Sequence, residues 1–224
     1  LECLNNIDKI CVLLPEYAKY YNLSEGKVVV LPNAVDLSDY VMPMKERDRV
    51  IIVSGRLEYV KRHDLSIMAW RMIQDKFPDW SLQIYGDGSL RKTLEALISQ
   101  KKVKRVSLMG HHEDILKRVA KASVLLHPAS YEGFPLAVCE ALAAGTPVVG
   151  FSDCSGLNHL VVDEMNGLLV SPSDRINNLA KSLEKILSEE NLRETLSIGG
   201  PPSVARYSPE TIAGMWEDVI YERM

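Results

Sequence analysis

No run of apolar residues in this 224-residue sequence approaches the ~20 that a helix needs to cross a bilayer. The first residues show no signal-peptide pattern, and the sequence opens on Leu1, so a fragment of a longer protein is expected. Cysteine is scarce, and Cys3, Cys11, Cys139 and Cys154 lack the spacing of metal ligands. Reduced thiols in a cytoplasmic protein are the simplest reading. A Gly-x-Gly-x-x-Gly motif is missing. Gly86-Asp87-Gly88 lacks both the third glycine and an acidic residue about 20 positions on, which argues against a dinucleotide-dependent dehydrogenase. There is no internal repeat and no low-complexity tract. Nor is there an excess of positive charge: 26 Lys and Arg against 30 Asp and Glu give a net charge of −4, so no nucleic-acid partner is expected. What is present, 46% hydrophobic and 25% charged residues, is the composition of a soluble globular protein. The length suits one large domain or one domain with an appendage.

Apolar runs alternate with segments of helical period. Val50-Ile51-Ile52-Val53 is continuous, as in a strand buried on both faces of a parallel sheet. Residues 61–77 follow with Leu65, Met68, Ala69, Met72 and Ile73 at helical spacing. Then come strand 82–85, helix 89–101, strand 106–109, helix 113–121 and strand 124–127. A strand over 148–151, a short helix near 157–162, a strand over 168–170 and helices near 174–188 and 190–198 complete the pattern. Six strands alternating with helices predict an α/β fold built on a doubly wound parallel sheet. Such sheets bind ligands at the carboxyl ends of their strands, so the loops after residues 53, 85, 109, 127 and 151 should share one rim. Ahead of this lie a strand over Lys9–Leu14, a short helix after Pro15 and an apolar run from Lys27 to Leu31, closed by Pro32-Asn33. Residues 38–49 read as a connecting loop. Ser208-Pro209-Glu210 starts a last helix, whose stripe of Ile212, Met215, Trp216, Val219 and Ile220 calls for an apolar partner.

The chain is organised around residues 131–149, which read as loop, helix and strand. Pro135 suits a first helical turn, and Gly145 suits the residue just past a helix end. Glu132 falls in the loop, and Glu140 inside the helix among Ala, Val, Leu and Cys, where packing does not explain a carboxylate. Gly133 lets a ligand approach the backbone, and the first-turn N–H groups can bind an anion. Two carboxylates around a phosphate-ready helix start suit a nucleotide sugar.

Glu132, seven residues, Glu140, with Gly133-Phe134-Pro135 behind the first and Gly145-Thr146-Pro147-Val148-Val149 behind the second, resembles the signature of retaining glycosyltransferases of family 4. These share a two-domain GT-B fold whose C-terminal half, Rossmann-like, binds the sugar-nucleotide donor. The resemblance covers nearly the whole chain but only the second half of such an enzyme. It implies that residues 1–37, through Pro32-Asn33-Ala34-Val35-Asp36, end the N-terminal domain and form the linker. Residues 38–206 would be the donor domain, and 207–224 a helix crossing back, which would leave Trp216 partly exposed.

The resemblance assigns roles residue by residue. Arg56 and Lys61 would hold the diphosphate, where a guanidinium and an ammonium stabilise the departing charge. Glu132 would bond the sugar hydroxyls and Glu140 the ribose hydroxyls. Gly133, Phe134 and Leu136 would line the donor at the helix start. Gly110 and His111 would lie near the base, although a solvated loop histidine is the blander reading for His111 and His112. His127 reads as a satisfied rim residue. Arg62 stands where the family usually has glycine, and His159 where it commonly has glutamate, so the sugar contacts of that loop differ. Lys101-Lys102-Val103-Lys104-Arg105 reads as a solvated charge run, with peripheral contact to anionic lipid as the alternative. Asp-x-Asp, common in metal-dependent glycosyltransferases of the other major fold, is absent, so neither metal nor cofactor is expected. The implied partners are a UDP-, GDP- or ADP-sugar, a glycan or lipid-linked acceptor, and the missing N-terminal domain. Competing readings are a sugar-nucleotide epimerase of similar fold and a non-catalytic partner subunit. A glycan phosphorylase is disfavoured, because no lysine sits in a context to anchor pyridoxal phosphate.

Overall fold

The structure, a computed structural model, describes residues 7–21, 26–35 and 40–221. Cys3 and Asp36 lie outside the described residues, as do the 36–39 stretch that contains the expected domain boundary and the end of the tail beyond 221.

Six parallel strands form the main sheet. β3 (Asp48–Ser54), β4 (Ser81–Tyr85), β5 (Val106–Gly110), β6 (Ala122–His127), β7 (Val148–Phe151) and β8 (Gly167–Val170) stand in the order β5-β4-β3-β6-β7-β8. β1 (Ile10–Val12) and β2 (Val28–Val30) pair parallel in a separate two-stranded sheet. Helices α2 (His63–Ile73), α3 (Arg91–Lys101), α4 (Ile115–Lys121), α5 (Leu136–Ala143), α7 (Arg175–Ser188) and α8 (Glu190–Val204) cover the large sheet. Short helices α1 (Pro15–Ala18) and α6 (Leu157–Leu160) and the last helix α9 (Pro209–Ile220) complete the set.

The strands are continuous apolar runs because both faces are covered. Every residue of β6 is buried, and two core clusters divide the sheet's faces. One gathers Ile51, Trp70, Leu82, Leu126 and Leu183; the other gathers Ile52, Leu125, Val138, Leu142 and Leu157. Adjacent strand residues thus point to opposite layers, the period-two rule inside an all-apolar segment.

Three local features depart from sequence expectation. α2 begins only at His63, because Arg62 is left-handed at φ 51° and separates it from a short 3-10 turn over Tyr59–Lys61. α8 runs to Val204, through Gly199-Gly200-Pro201-Pro202, although the breakers argue for an end near 198. Its glycines are packing devices: a Cβ at Gly199 would stand 2.0 Å from the Met165 carbonyl oxygen, and one at Gly200 would stand 2.6 Å from that of Leu142. The third feature is Arg47, buried at 7% exposure with no carboxylate partner among the described residues. Its guanidinium donates to the carbonyls of Met42, Ala122 and Ala144 and to Thr146. Ala122 and Ala144 cap the C-termini of α4 and α5, where the helix dipoles are negative. Burial lowers the Arg47 pKa to about 10, so the cation persists at neutral pH.

The tail helix starts as expected. The Ser208 side chain accepts from the Thr211 N–H at 3.2 Å, with Pro209 in the first turn. Ile212 is buried against the body, while Trp216 keeps 46% of its surface exposed. Among the described residues no helix is long and apolar enough to cross a membrane.

Candidate functional site

From β3 the chain winds outward through β4 and β5, and from β6 it winds the other way through β7 and β8. β3 and β6 are therefore the neighbours between which the winding reverses, and the crevice beyond their carboxyl ends is where doubly wound sheets bind ligands. β3 delivers Gly55-Arg56 to that rim, and β6 delivers His127 and the Glu132 loop.

On one side, the loops after β3 and β4 are sewn together. Gly55 N–H donates to the Tyr85 carbonyl at 3.0 Å and Leu57 N–H to that of Asp87 at 2.9 Å. The approach requires Gly86: at φ 129° its added Cβ would lie 2.1 Å from the Gly55 carbonyl oxygen. Above lies a cleft of about 470 Å³ lined by Arg56, Tyr85, Gly86, His111 and His112. The exposed Arg56 side chain has no hydrogen bond or ion pair among the described residues. Its backbone carbonyl is held by buried His63, whose Nε2 donates at 3.0 Å. A carbonyl can only accept, so this contact puts a proton on Nε2. Nδ1 is buried without a partner among the described residues, and burial pushes the His63 pKa down. Gly110, at φ 77°, ends β5 and hands the chain to His111 at the cleft wall.

On the other side stands Glu132, its side chain only 12% exposed. Lys61 Nζ donates to Oε1, and His127 Nε2 lies 3.0 Å from the same oxygen. Burial raises the Glu132 pKa, but His127 and Lys61 together outweigh it, and the net direction is down. The expectation that His127 is a satisfied rim residue is corrected. His127 is at the rim and 3% exposed, yet Nε2 lacks hydrogen-bond alignment to Glu132 and has no other partner among the described residues. The backbone of the loop is pinned from behind. Tyr17 Oη donates to the Glu132 carbonyl at 2.7 Å, and Ser155 Oγ donates to it at 3.2 Å.

α5 leaves this loop with Pro135 at its N-cap, one position earlier than a first-turn proline. No hydrogen-bond partner is found among the described residues for the N–H groups of Gly133, Phe134, Leu136 and Ala137. The Phe134 side chain turns into the core, edge-on to Tyr207 at 5.2 Å, so only its backbone faces the crevice. Leu136 is exposed. Glu140, half-buried further along α5, has neither hydrogen bond nor ion pair among the described residues, and burial raises its pKa. A partly buried carboxylate without a partner is costly unless a ligand completes it.

Arg56 and His111 line the cleft, and Lys61, whose side chain packs beside Gly55 and donates to Glu132, ties the Glu132 loop to the same rim of the sheet. Other residues singled out from the sequence are committed elsewhere. Arg62 pairs with Asp64 at 3.0 Å, and His159 Nδ1 faces Glu16 of α1 at 3.5 Å. In the basic run, Lys104 pairs with Asp75, while Arg105 donates to the Gln74 and Trp80 carbonyls. The run joins the end of α3 to the start of β5, at the end of the sheet opposite the crevice. Sequence reasoning missed His63, Tyr17 and the pinning by Ser155. A polar residue closing an otherwise apolar strand was the available signal for His127; nothing local marks the other three.

Against known proteins, the chain aligns with an exopolysaccharide phosphotransferase of Streptomyces coelicolor at 28% identity, over 96% of this chain and 23% of that protein. It aligns with the N-acetylgalactosamine-N,N'-diacetylbacillosaminyl-diphospho-undecaprenol 4-alpha-N-acetylgalactosaminyltransferase of Campylobacter jejuni at 31% identity, over 81% of this chain and 50% of that one. The chain spans about half or less of the length of these curated relatives. Among solved structures, the pneumococcal O-GlcNAc transferase GtfA, in complex with UDP and GlcNAc, superposes with a TM-score of 0.87 at 23% identity. That match covers 97% of this chain and 46% of GtfA, and extends the agreement from sheet to whole fold. Residues 40–201 match the glycosyl transferases group 1 family, and with the switch-point crevice on a six-stranded parallel sheet the chain belongs to that family, on a GT-B-type fold.

Proposed function

We propose that this chain is the C-terminal, donor-binding half of a retaining glycosyltransferase of family 4, which transfers a sugar from a UDP-, GDP- or ADP-sugar to a glycan or lipid-linked acceptor. The observation that carries the reading is the Lys61–Glu132 pair beside the β3–β6 switch point, with Arg56 on the rim loop after β3 and Glu140 without a partner among the described residues in the helix that follows.

In this reading Arg56 and Lys61 hold the diphosphate, and their positive charge counts most when the bond to the sugar breaks and the leaving group gains charge. The N–H groups at 133–137 add to that potential, so the donor needs no metal. Glu132 accepts from sugar hydroxyls near the reacting carbon, Glu140 from the ribose, and Gly110 and His111 flank the base. Retention follows from front-face displacement, in which the departing phosphate oxygen helps to take the acceptor's proton.

The proposed division is 1–37 as the end of an N-terminal domain with its linker, 38–206 as the donor domain and 207–224 as the crossover helix. The separate β1–β2 sheet and the exposed Trp216 support it. Acceptor contacts would then lie mainly on the missing half. A lipid-linked acceptor brings the enzyme to the cytoplasmic face of a membrane, and the free thiols at Cys11, Cys139 and Cys154 suit that reducing compartment.

The test is thermal unfolding of the chain with UDP-, GDP- and ADP-glucose in EDTA. A ligand at 100 times its Kd adds about 2.7 kcal/mol, or about 5–10 °C for a domain of this size. One base should be preferred; no shift with any of the three overturns the proposal.

A further inference from the structure

Lys61 faces two demands that the structure sets against each other. Its ammonium is engaged by Glu132 Oε1, yet the donor-site reading, on which this inference rests, needs the same charge for the diphosphate. An arriving donor brings about two negative charges to an ammonium that already neutralises a largely buried carboxylate. Whether Lys61 swings across or bridges both groups, Glu132 loses part of its counter-charge. The nearest replacement lies against the same carboxylate. His127 Nε2 is 3.0 Å from that same Oε1, buried, and without a hydrogen bond.

We propose that His127 is a positioning residue that takes over Glu132 as the diphosphate claims Lys61, carrying one proton from solvent into the site as it does so. The imidazolium then donates from Nε2 to Glu132 Oε1 and holds the carboxylate toward the sugar. Other titratable groups face this pair from each packed element. Lys61 comes from the turn before α2, His63 from α2 itself, and Cys154 from the loop after β7, beside Glu132. Of these, His63 already commits Nε2 to the Arg56 carbonyl, and Cys154 is a thiol whose pKa burial raises to about 12. His127 is left as the side chain placed, 3.0 Å from Oε1, to replace the lysine as donor to Glu132.

The consequence is proton-linked donor binding. Linkage then requires affinity to rise as pH falls, by up to about tenfold per pH unit wherever one proton is taken up per donor bound. Titration calorimetry of the chain with UDP-, GDP- and ADP-glucose, in EDTA and at pH 7, is run in buffers of differing ionisation enthalpy. The phosphates of a nucleotide sugar are diesters without a titration near pH 7, so any proton counted belongs to the protein. The expected result is uptake of a large fraction of one proton per donor bound, abolished in His127→Gln, with a flattened pH slope. Should that variant unfold, ¹⁵N-imidazole NMR of the unsubstituted chain reads the same event, as protonation of the His127 ring on adding donor. Donor binding without proton uptake, or with uptake unchanged in His127→Gln, overturns the role of His127 and leaves the donor site standing. No binding of any of the three sugars overturns both.

Discussion

Glu140→Gln should move stability and binding in opposite directions. In the folded chain the Glu140 carboxyl has no partner, and burial holds its pKa above the ordinary carboxylate range. Between its unfolded and folded pKa values the folded state binds more protons than the unfolded one, so stability falls as pH rises through that window. Above it the whole penalty persists; below it both states are protonated and the penalty is gone. A neutral amide of the same shape removes the cost of a lone half-buried charge, about 1 kcal/mol. Unfolding at pH 7 should therefore shift up by about 2–4 °C, and the gain should shrink toward pH 4. Binding should change the other way. A carboxylate can accept from both ribose hydroxyls, whereas the amide offers one acceptor and no charge. The loss of about 1.5–3 kcal/mol corresponds to about 10- to 150-fold in nucleotide affinity. Circular dichroism melts at the two pH values, followed by calorimetry with UDP, GDP and ADP, measure both. A variant that melts lower than its parent and binds nucleotide equally well would show that Glu140 serves the fold and not the ligand.

Other perturbations test the rest of the site and its support. Gly86→Ala places a methyl 2.1 Å from the Gly55 carbonyl oxygen, so the β3 and β4 rim loops must part. Calorimetry should find nucleotide affinity down about tenfold or more, ~1.4 kcal/mol, in a chain whose far-UV spectrum is unchanged. Arg47→Met strands the capping carbonyls of two helices and should cost about 3 kcal/mol. A melt lowered by about 6–12 °C is expected, and an unchanged melt would refute the capping role. Glu132→Ala should weaken the nucleotide sugar more than the free nucleoside diphosphate, because that side chain is assigned to the sugar; equal losses for both ligands would count against the assignment. Donor binding should persist in EDTA, whereas transfer to an acceptor should be negligible until an N-terminal half is restored in cis. A cleft with one wall forfeits much of the roughly 7–11 kcal/mol that positioning can supply, and robust transfer by this chain alone would contradict the proposed division of labour.

Much of the fold is local information. The all-apolar runs at 50–53 and 124–127 reveal buried parallel strands, because covered faces leave no room for alternation. Residues just after such strands must lie on the rim at the strands' carboxyl ends, which brings Arg56 and Glu132 there from sequence alone. Pro135 and Gly145 bracket α5, since each fixes backbone geometry by its own covalent structure. Local information fails where a partner is distant in sequence. Gly199-Gly200-Pro201-Pro202 reads as a helix end, yet α8 continues, because only the folded chain brings the Met165 and Leu142 carbonyls to where those glycines must be small. Phe134 looks like a ligand contact until Tyr207, far along the chain, turns its ring inward. Above all, strand order is a tertiary outcome. The sequence lists six strands without saying that β3 lies beside β6. That adjacency brings Lys61 to Glu132, 71 residues apart, with His127 against the same oxygen. Residue type alone supplies the charges, and strand adjacency decides which of them share a carboxylate.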